Sequence, residues 1–142
     1  MLERYTRELV GAENAKAAVS TTSRALAALF KVPAVVMLVD ESGVVFRQQV
    51  GELEAQESDL EAARSALTTG AAARSGVYPN LASRFDFWPL ETANGQKAAV
   101  GLAFDPDERP ARPDDLVNIV MRLLRLALER QHATAGRQTG RS

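Results

Sequence analysis

His132 is the one histidine in the chain, and there is no cysteine. A catalytic base or a metal ligand works only as part of a constellation. No second imidazole and no thiolate stands at metal-ligand spacing from His132. Its setting, Arg-Gln-His-Ala-Thr near the C-terminus, reads as the exposed end of a fading helix. Carboxylates gather at Glu52, Glu54, Glu57, Asp59 and Glu61, and again at Asp105, Asp107 and Glu108. Paired carboxylates do acid–base work when burial drives their pKa values apart. Both runs lie in polar segments where burial is not expected, and neither has the alternating ligands and closing Glu of a calcium loop. Phosphate-binding glycine loops and the nucleophile elbow are missing as well. We therefore expect no catalytic residue, no metal and no cofactor. What remains is Arg64, Arg74 and Arg84, which flank a long segment containing Tyr78. Guanidinium groups beside an aromatic ring suit an anionic or planar ligand, through bidentate bonds and stacking. The competing reading is surface cations and a Tyr that anchors the loop.

These residues need a scaffold, and the periodicity supplies one. Tyr5, Leu9, Ala12, Lys16, Val19, Ser23, Leu26 and Phe30 recur at helical steps from Leu2 to Phe30. Gly11 and Asn14 weaken the middle and suggest a break into two helices. Val32-Pro33 ends the helical run. Ala34 to Val39 and Val44 to Val50 form a hairpin about the turn Asp40-Glu41-Ser42-Gly43. Ser58 and Glu61 have capping-box spacing and open a helix whose buried side is Leu60, Ala63, Ala66 and Leu67, with Gly70 as its stop. Ala71 to Ser83 reads as a loop, with Gly76, Pro79 and Asn80.

The second hairpin turns at Asn94-Gly95, a pair suited to the positive φ of a type I′ turn. Pro89 makes Phe85 to Glu91 a bulged or edge strand. Ala98, Val100, Leu102 and Phe104 share one face of the return strand. Ala99, Gly101 and Ala103 share the other, a small face that permits close approach. Phe85, Phe87 and Trp88 are the densest aromatic group, suited to core packing or a pocket wall. After a Pro/Asp-rich connector, Pro113 starts the last helix and Asp114 and Asp115 suit its N-terminus. Its apolar stripe is Leu116, Ile119, Val120, Leu123, Leu126 and Ala127, ending at Arg130. We read that stripe as a dimer or relay surface, or as a cover for the sheet. The order implies an α+β fold. An antiparallel sheet carries the terminal helices on one face and the mid-chain helix and loop on the other.

A length of 142 residues, 46% hydrophobic and 25% charged, fits one globular domain over 1–131, with 132–142 as a polar tail or truncated linker. The net charge of −1 provides no bulk attraction to nucleic acid, which is not expected as a partner. Apolar runs such as Pro33 to Val39 are too short to span a bilayer, and the N-terminus lacks signal-peptide order. A cytoplasmic location is expected, with a membrane involved only through a parent protein.

The element order resembles a GAF domain, and the local wording resembles the GAF-like domain of Kdp-type potassium-sensor histidine kinases. The resemblance runs through Tyr5-Thr6-Arg7-Glu8-Leu9, Ala25 to Asp40 and Asp59-Leu60-Glu61-Ala62-Ala63. It continues through Phe87-Trp88-Pro89-Leu90 with Gly95, Val100-Gly101-Leu102, and Leu126-Ala127-Leu128-Glu129-Arg130. It implies a non-catalytic sensory domain of two-component signalling, a homodimer whose terminal helices relay toward a downstream kinase core. That core and its phosphoacceptor motif are not in this sequence. A loop usually written with Gly, Thr and Pro reads here as Ala73 to Leu81. A free-standing module for an unidentified small ligand, or a structural dimerisation module, is the alternative.

Overall fold

The structure is a computed structural model that describes residues 2–40, 42–77, 82–93, 95–105 and 107–140, with side chains to residue 133. Tyr78, Asn94, Glu41, Pro79, Asn80, Leu81 and Pro106 lie outside the described residues.

The N-terminal helical run is two helices, α1 (Leu2–Val10) and α2 (Ala15–Phe30). Gly11 follows the first, and Asn14 caps the second by accepting the Ala17 N–H at 2.8 Å. Helix α2 stops at Phe30, before the proline exerts its effect. Lys31 takes the left-handed conformation at φ 57° and its N–H closes on Ala27 O. Strands β1 (Ala34–Asp40) and β2 (Gly43–Val50) form the first hairpin, with a register shift between Leu38 and Val39. Asp40 organises its turn by accepting from the Ser42 N–H and hydroxyl, which hold its carboxyl below the usual range.

Helix α3 spans Glu57–Thr69. Its start corrects the Ser58/Glu61 capping box. Gln56 is the N-cap, and Asp59 reaches back to the Gln56 N–H at 2.8 Å. The Ser58 hydroxyl instead donates to Ala82 O. Gly70 ends the helix at φ 72°. Strands β3 (Asp86–Glu91) and β4 (Lys97–Leu102) complete an open antiparallel sheet of order β2-β1-β4-β3. Strand β3 is an edge in continuous register rather than a bulged strand. Its outer side is partly covered, because Ala73 in the supposed loop exchanges two backbone bonds with Phe87. Helix α4 (Pro113–Gly140) closes the chain, its backbone helical past His132.

Two apolar cores lie on opposite faces of the sheet. Helices α1, α2 and α4 cover Val36, Leu38, Trp88, Val100, Leu102 and Phe104. Helix α3 and the Ala73 segment cover Val35, Met37, Phe85, Phe87, Ala99 and Ala103. This is the α+β arrangement the element order implies. Gly101 has a specific reason. A Cβ there would lie 2.5 Å from the Phe87 ring and 2.9 Å from Val35. At Gly101 the small face of β4 makes room for the Phe87 ring, and Ala99 and Ala103 of the same face share a core with the alanines of α3.

The buried face of α4 is rotated from the stripe read in sequence. Val117, Val120, Met121, Leu124, Ala127 and Leu128 are buried. Leu116 and Leu123 are half-buried, and Ile119 and Leu126 are 46% and 55% exposed. Likewise α3 buries Asp59, Ala62, Ala63 and Ala66, leaving Leu60 and Leu67 half-buried.

Candidate functional site

Beneath Ala73, in the segment that follows α3, the space is filled. Phe85 and Phe87 occupy it, ring centroids 5.8 Å apart, against Ala62, Ala66 and Ala73. Alanines on α3 allow the helix to sit close to the sheet, and the two rings fill the space left over.

The three arginines flanking that segment have separate partners. Arg84 lies against Asp59 at 3.5 Å and donates to Glu54 O at 2.9 Å. Arg74 reaches Asp114 at 4.0 Å, and Arg64 reaches Glu57 at 3.8 Å in a pair exposed on both sides. Asp59 departs from the expectation of a solvated charge, since its exposure is 0%. It is stabilised there because its oxygens accept from the Gln56 N–H, the Arg84 N–H and the Ser83 hydroxyl. Sequence reasoning missed this site. The S-x-x-E spacing points to Glu61, two residues beyond the Asp59 that does the capping.

A second buried carboxylate joins three segments. Asp86 on β3 accepts from the Ser75 N–H at 2.8 Å and from Arg109 in a short ion pair. The Arg109 guanidinium also lies 5.8 Å from the Phe104 ring centroid. Nearby, Trp88 Nε1 donates to Asp114 at 2.7 Å, tying the sheet edge to the first turn of α4.

Arg64 does line a cleft, on another face of α3. The cleft holds about 480 Å³ between α3 and the first hairpin. Met37, Val39, Leu60, Ala63 and Leu67 give it an apolar wall, and Arg64 and Lys97 stand among its polar residues. The terminal helices form another groove, lined by Leu2, Thr6 and Val10 of α1 and Ile119 and Leu123 of α4. His132 is exposed near the α1–α2 junction. Among the described residues, no group of three or more His, Asp or Glu is placed to hold a metal ion. None of their helices is long and apolar enough to cross a membrane.

The arrangement is similar to the GAF domain of the potassium sensor histidine kinase KdpD from Escherichia coli. The TM-score is 0.72 at 17% identity, over 96% of each chain. The fold is that of a GAF domain. A methyl-accepting chemotaxis protein fragment is also similar, with TM-score 0.68 and 9% identity, covering 93% of this chain and 98% of the fragment. No family model and no curated protein matches the sequence. In GAF terms the filled space is the region between sheet and mid-chain helix, and the exposed apolar residues of α1 and α4 lie on the opposite side.

Proposed function

We propose that the chain is a non-catalytic sensory domain that works as a homodimer and relays signals through α1 and α4. The observation that carries this reading is where apolar surface is left uncovered. Of the six large apolar residues exposed among those described, Val44, Val45 and Val77 lie elsewhere, while Val10, Ile119 and Leu126 lie on the terminal helices at 63%, 46% and 55% exposure, and Val10 and Ile119 line the α1–α4 groove. Exposed apolar residues clustered around a groove mark an association surface, and a closed two-fold pair is the commonest way to cover one. The similarity to a sensor-kinase GAF domain and a chemotaxis receptor fragment supports a role in signal transduction. On this reading the parent protein is a potassium-responsive sensor histidine kinase. The domain lies on the cytoplasmic side, and α4 leads toward the kinase core.

Sedimentation analysis tests the dimer. The wild-type chain is expected to sediment as a dimer at micromolar concentration. The double variant Ile119→Asp/Leu126→Asp is expected to be monomeric, with its far-UV circular dichroism retained. A wild-type monomer at all concentrations counts against the relay reading.

The α3–hairpin cleft favours one alternative, a small-ligand module. An apolar wall beside Arg64 and Lys97 suits an amphipathic anion; Arg74 and Arg84, which the sequence offered together with Tyr78, do not line this cleft. Decanoate in a thermal-shift assay is the probe. At 100 times its Kd a ligand adds about 2.7 kcal/mol, and Arg64→Gln/Lys97→Gln should remove that gain.

A further inference from the structure

The edge of β3 continues past the point where Ala73 covers it. The N–H and C=O of Phe87 both go to Ala73, so the main chain of Phe87 points off the edge of the sheet. Backbone direction alternates along a strand, and Pro89 and Glu91 therefore point the same way. Pro89 has no N–H. The edge here presents the Pro89 C=O and both the N–H and C=O of Glu91, none of which has a backbone partner among the described residues.

A cleft of about 330 Å³ opens along this stretch, between Pro89, Leu90 and Glu91 of β3 and Asn118, Arg122 and Arg125 of α4. The spacing of the three α4 residues puts them on one face of the helix. Leu90 belongs to the core beneath the terminal helices, and Phe87 to the opposite core. The same alternation sends the Glu91 side chain to the α3 face, in register with Lys97 and away from the two guanidinium groups. Arg122 and Arg125 are exposed, and neither has a carboxylate at ion-pair distance among the described residues. Glu129, one turn beyond Arg125, accepts the Ala93 N–H at 2.7 Å. Arg64, Arg74, Arg84 and Arg109, by contrast, each have a carboxylate partner.

We propose that this cleft binds an extended acidic segment of a partner protein, which adds to the β3 edge at Glu91 and sets its carboxylates on Arg122 and Arg125. The complementarity is twofold. An edge that shows two carbonyls and one N–H suits a ligand that brings backbone N–H groups, as in strand addition. Two unpaired guanidinium forks beside that edge suit carboxylates. Alternate side chains of an extended peptide share a face, so acidic residues at every second position meet α4 while the main chain meets β3. A phosphate or a nucleic-acid backbone satisfies the arginines and leaves the carbonyls unpaired. Pro89 lacks its donor and confines full main-chain pairing to the Glu91 end, which leaves much of the affinity to the arginines. The cleft shares no residue with the α1–α4 groove, and the proposal does not rest on the relay reading.

Fluorescence anisotropy on the full chain tests this, with a labelled, end-capped hexapeptide of alternating Glu and Val as the probe. The peptide is expected to bind in the micromolar range, and more weakly as salt is added. Arg122→Gln/Arg125→Gln should weaken binding about tenfold. Arg7→Gln/Arg47→Gln removes the same charge from exposed residues outside the cleft and should change it by about twofold or less. Hydrogen exchange followed by NMR reads the main-chain half: the Glu91 amide should exchange more slowly with peptide bound. No binding at millimolar peptide, an equal loss in both double variants, or a bound peptide that leaves Glu91 exchange unchanged overturns the proposal. Displacement by an equal concentration of inorganic pyrophosphate marks a simple anion site and overturns it as well.

Discussion

Buried polar atoms are the residue-scale features that decide most here. Asp59 is the hub that joins the start of α3 to Ser83 and Arg84. Its removal takes the acceptor from the Gln56 and Arg84 backbone N–H groups, while the Ser83 hydroxyl keeps Phe85 O. Asp59→Ala is therefore expected to cost about 3 kcal/mol in urea denaturation, several times the effect of Glu61→Ala on the exposed side of the same turn. Tyr5 gives a pH signature. Burial pushes its hydroxyl pKa up to about 12 from 10.0, against the opposing contact with Thr22. A raised folded-state pKa means the folded chain holds its proton longer than the unfolded chain. Its stabilising contribution is fully present below pH 10 and is lost as pH rises toward 12. Denaturation midpoints should fall across that window, and Tyr5→Phe should remove part of the fall. The variant should lose about 1 kcal/mol at neutral pH, through the contacts with Thr22 and Val120 O.

Helix ends are where local signals and tertiary demands meet at the element scale. Gly70 and the break at Gly11 to Asn14 were legible because a glycine stop and weak helix formers act locally, whereas the cap that Asn14 provides for α2 was not read. Lys31 was not legible. The chain turns there in a left-handed conformation without a glycine, so that Pro33 can lead directly into β1. Lys31→Gly relieves that conformation and should raise stability by about 0.5–1 kcal/mol, read by thermal denaturation. The face of α4 was also illegible. Leu116, Ile119, Leu123 and Leu126 are as apolar as Val117, Met121, Leu124 and Leu128, so periodicity offered two adjacent stripes. Packing against α2 and the sheet selected the second, and that choice is what leaves Ile119 and Leu126 exposed.

Two unequal layers flank the sheet at the whole-molecule scale. One is a thick apolar layer beneath the terminal helices, and the other is a thin, alanine-rich layer beneath α3. On the proposed relay reading, a signal passing from one side to the other would cross a closely packed sheet. The Asp86–Arg109 pair and the Trp88–Asp114 bond link its β3 edge to the start of α4. If a second copy covers the α1–α4 groove, folding and association are linked. The melting temperature of the wild type should then rise with protein concentration, whereas that of Ile119→Asp/Leu126→Asp should not. The sequence by itself determined the element order, both hairpins and the absence of cysteine, and with them the sheet-and-helix plan. Each of these depends on neighbours within a few residues. Tertiary structure decided which stripe of α4 is buried, which carboxylates go inside and how the arginines are partnered. Those outcomes depend on groups far apart in the chain: Asp59 with Arg84, Asp86 with Arg109, and Arg130 and Gln131 with the end of α1.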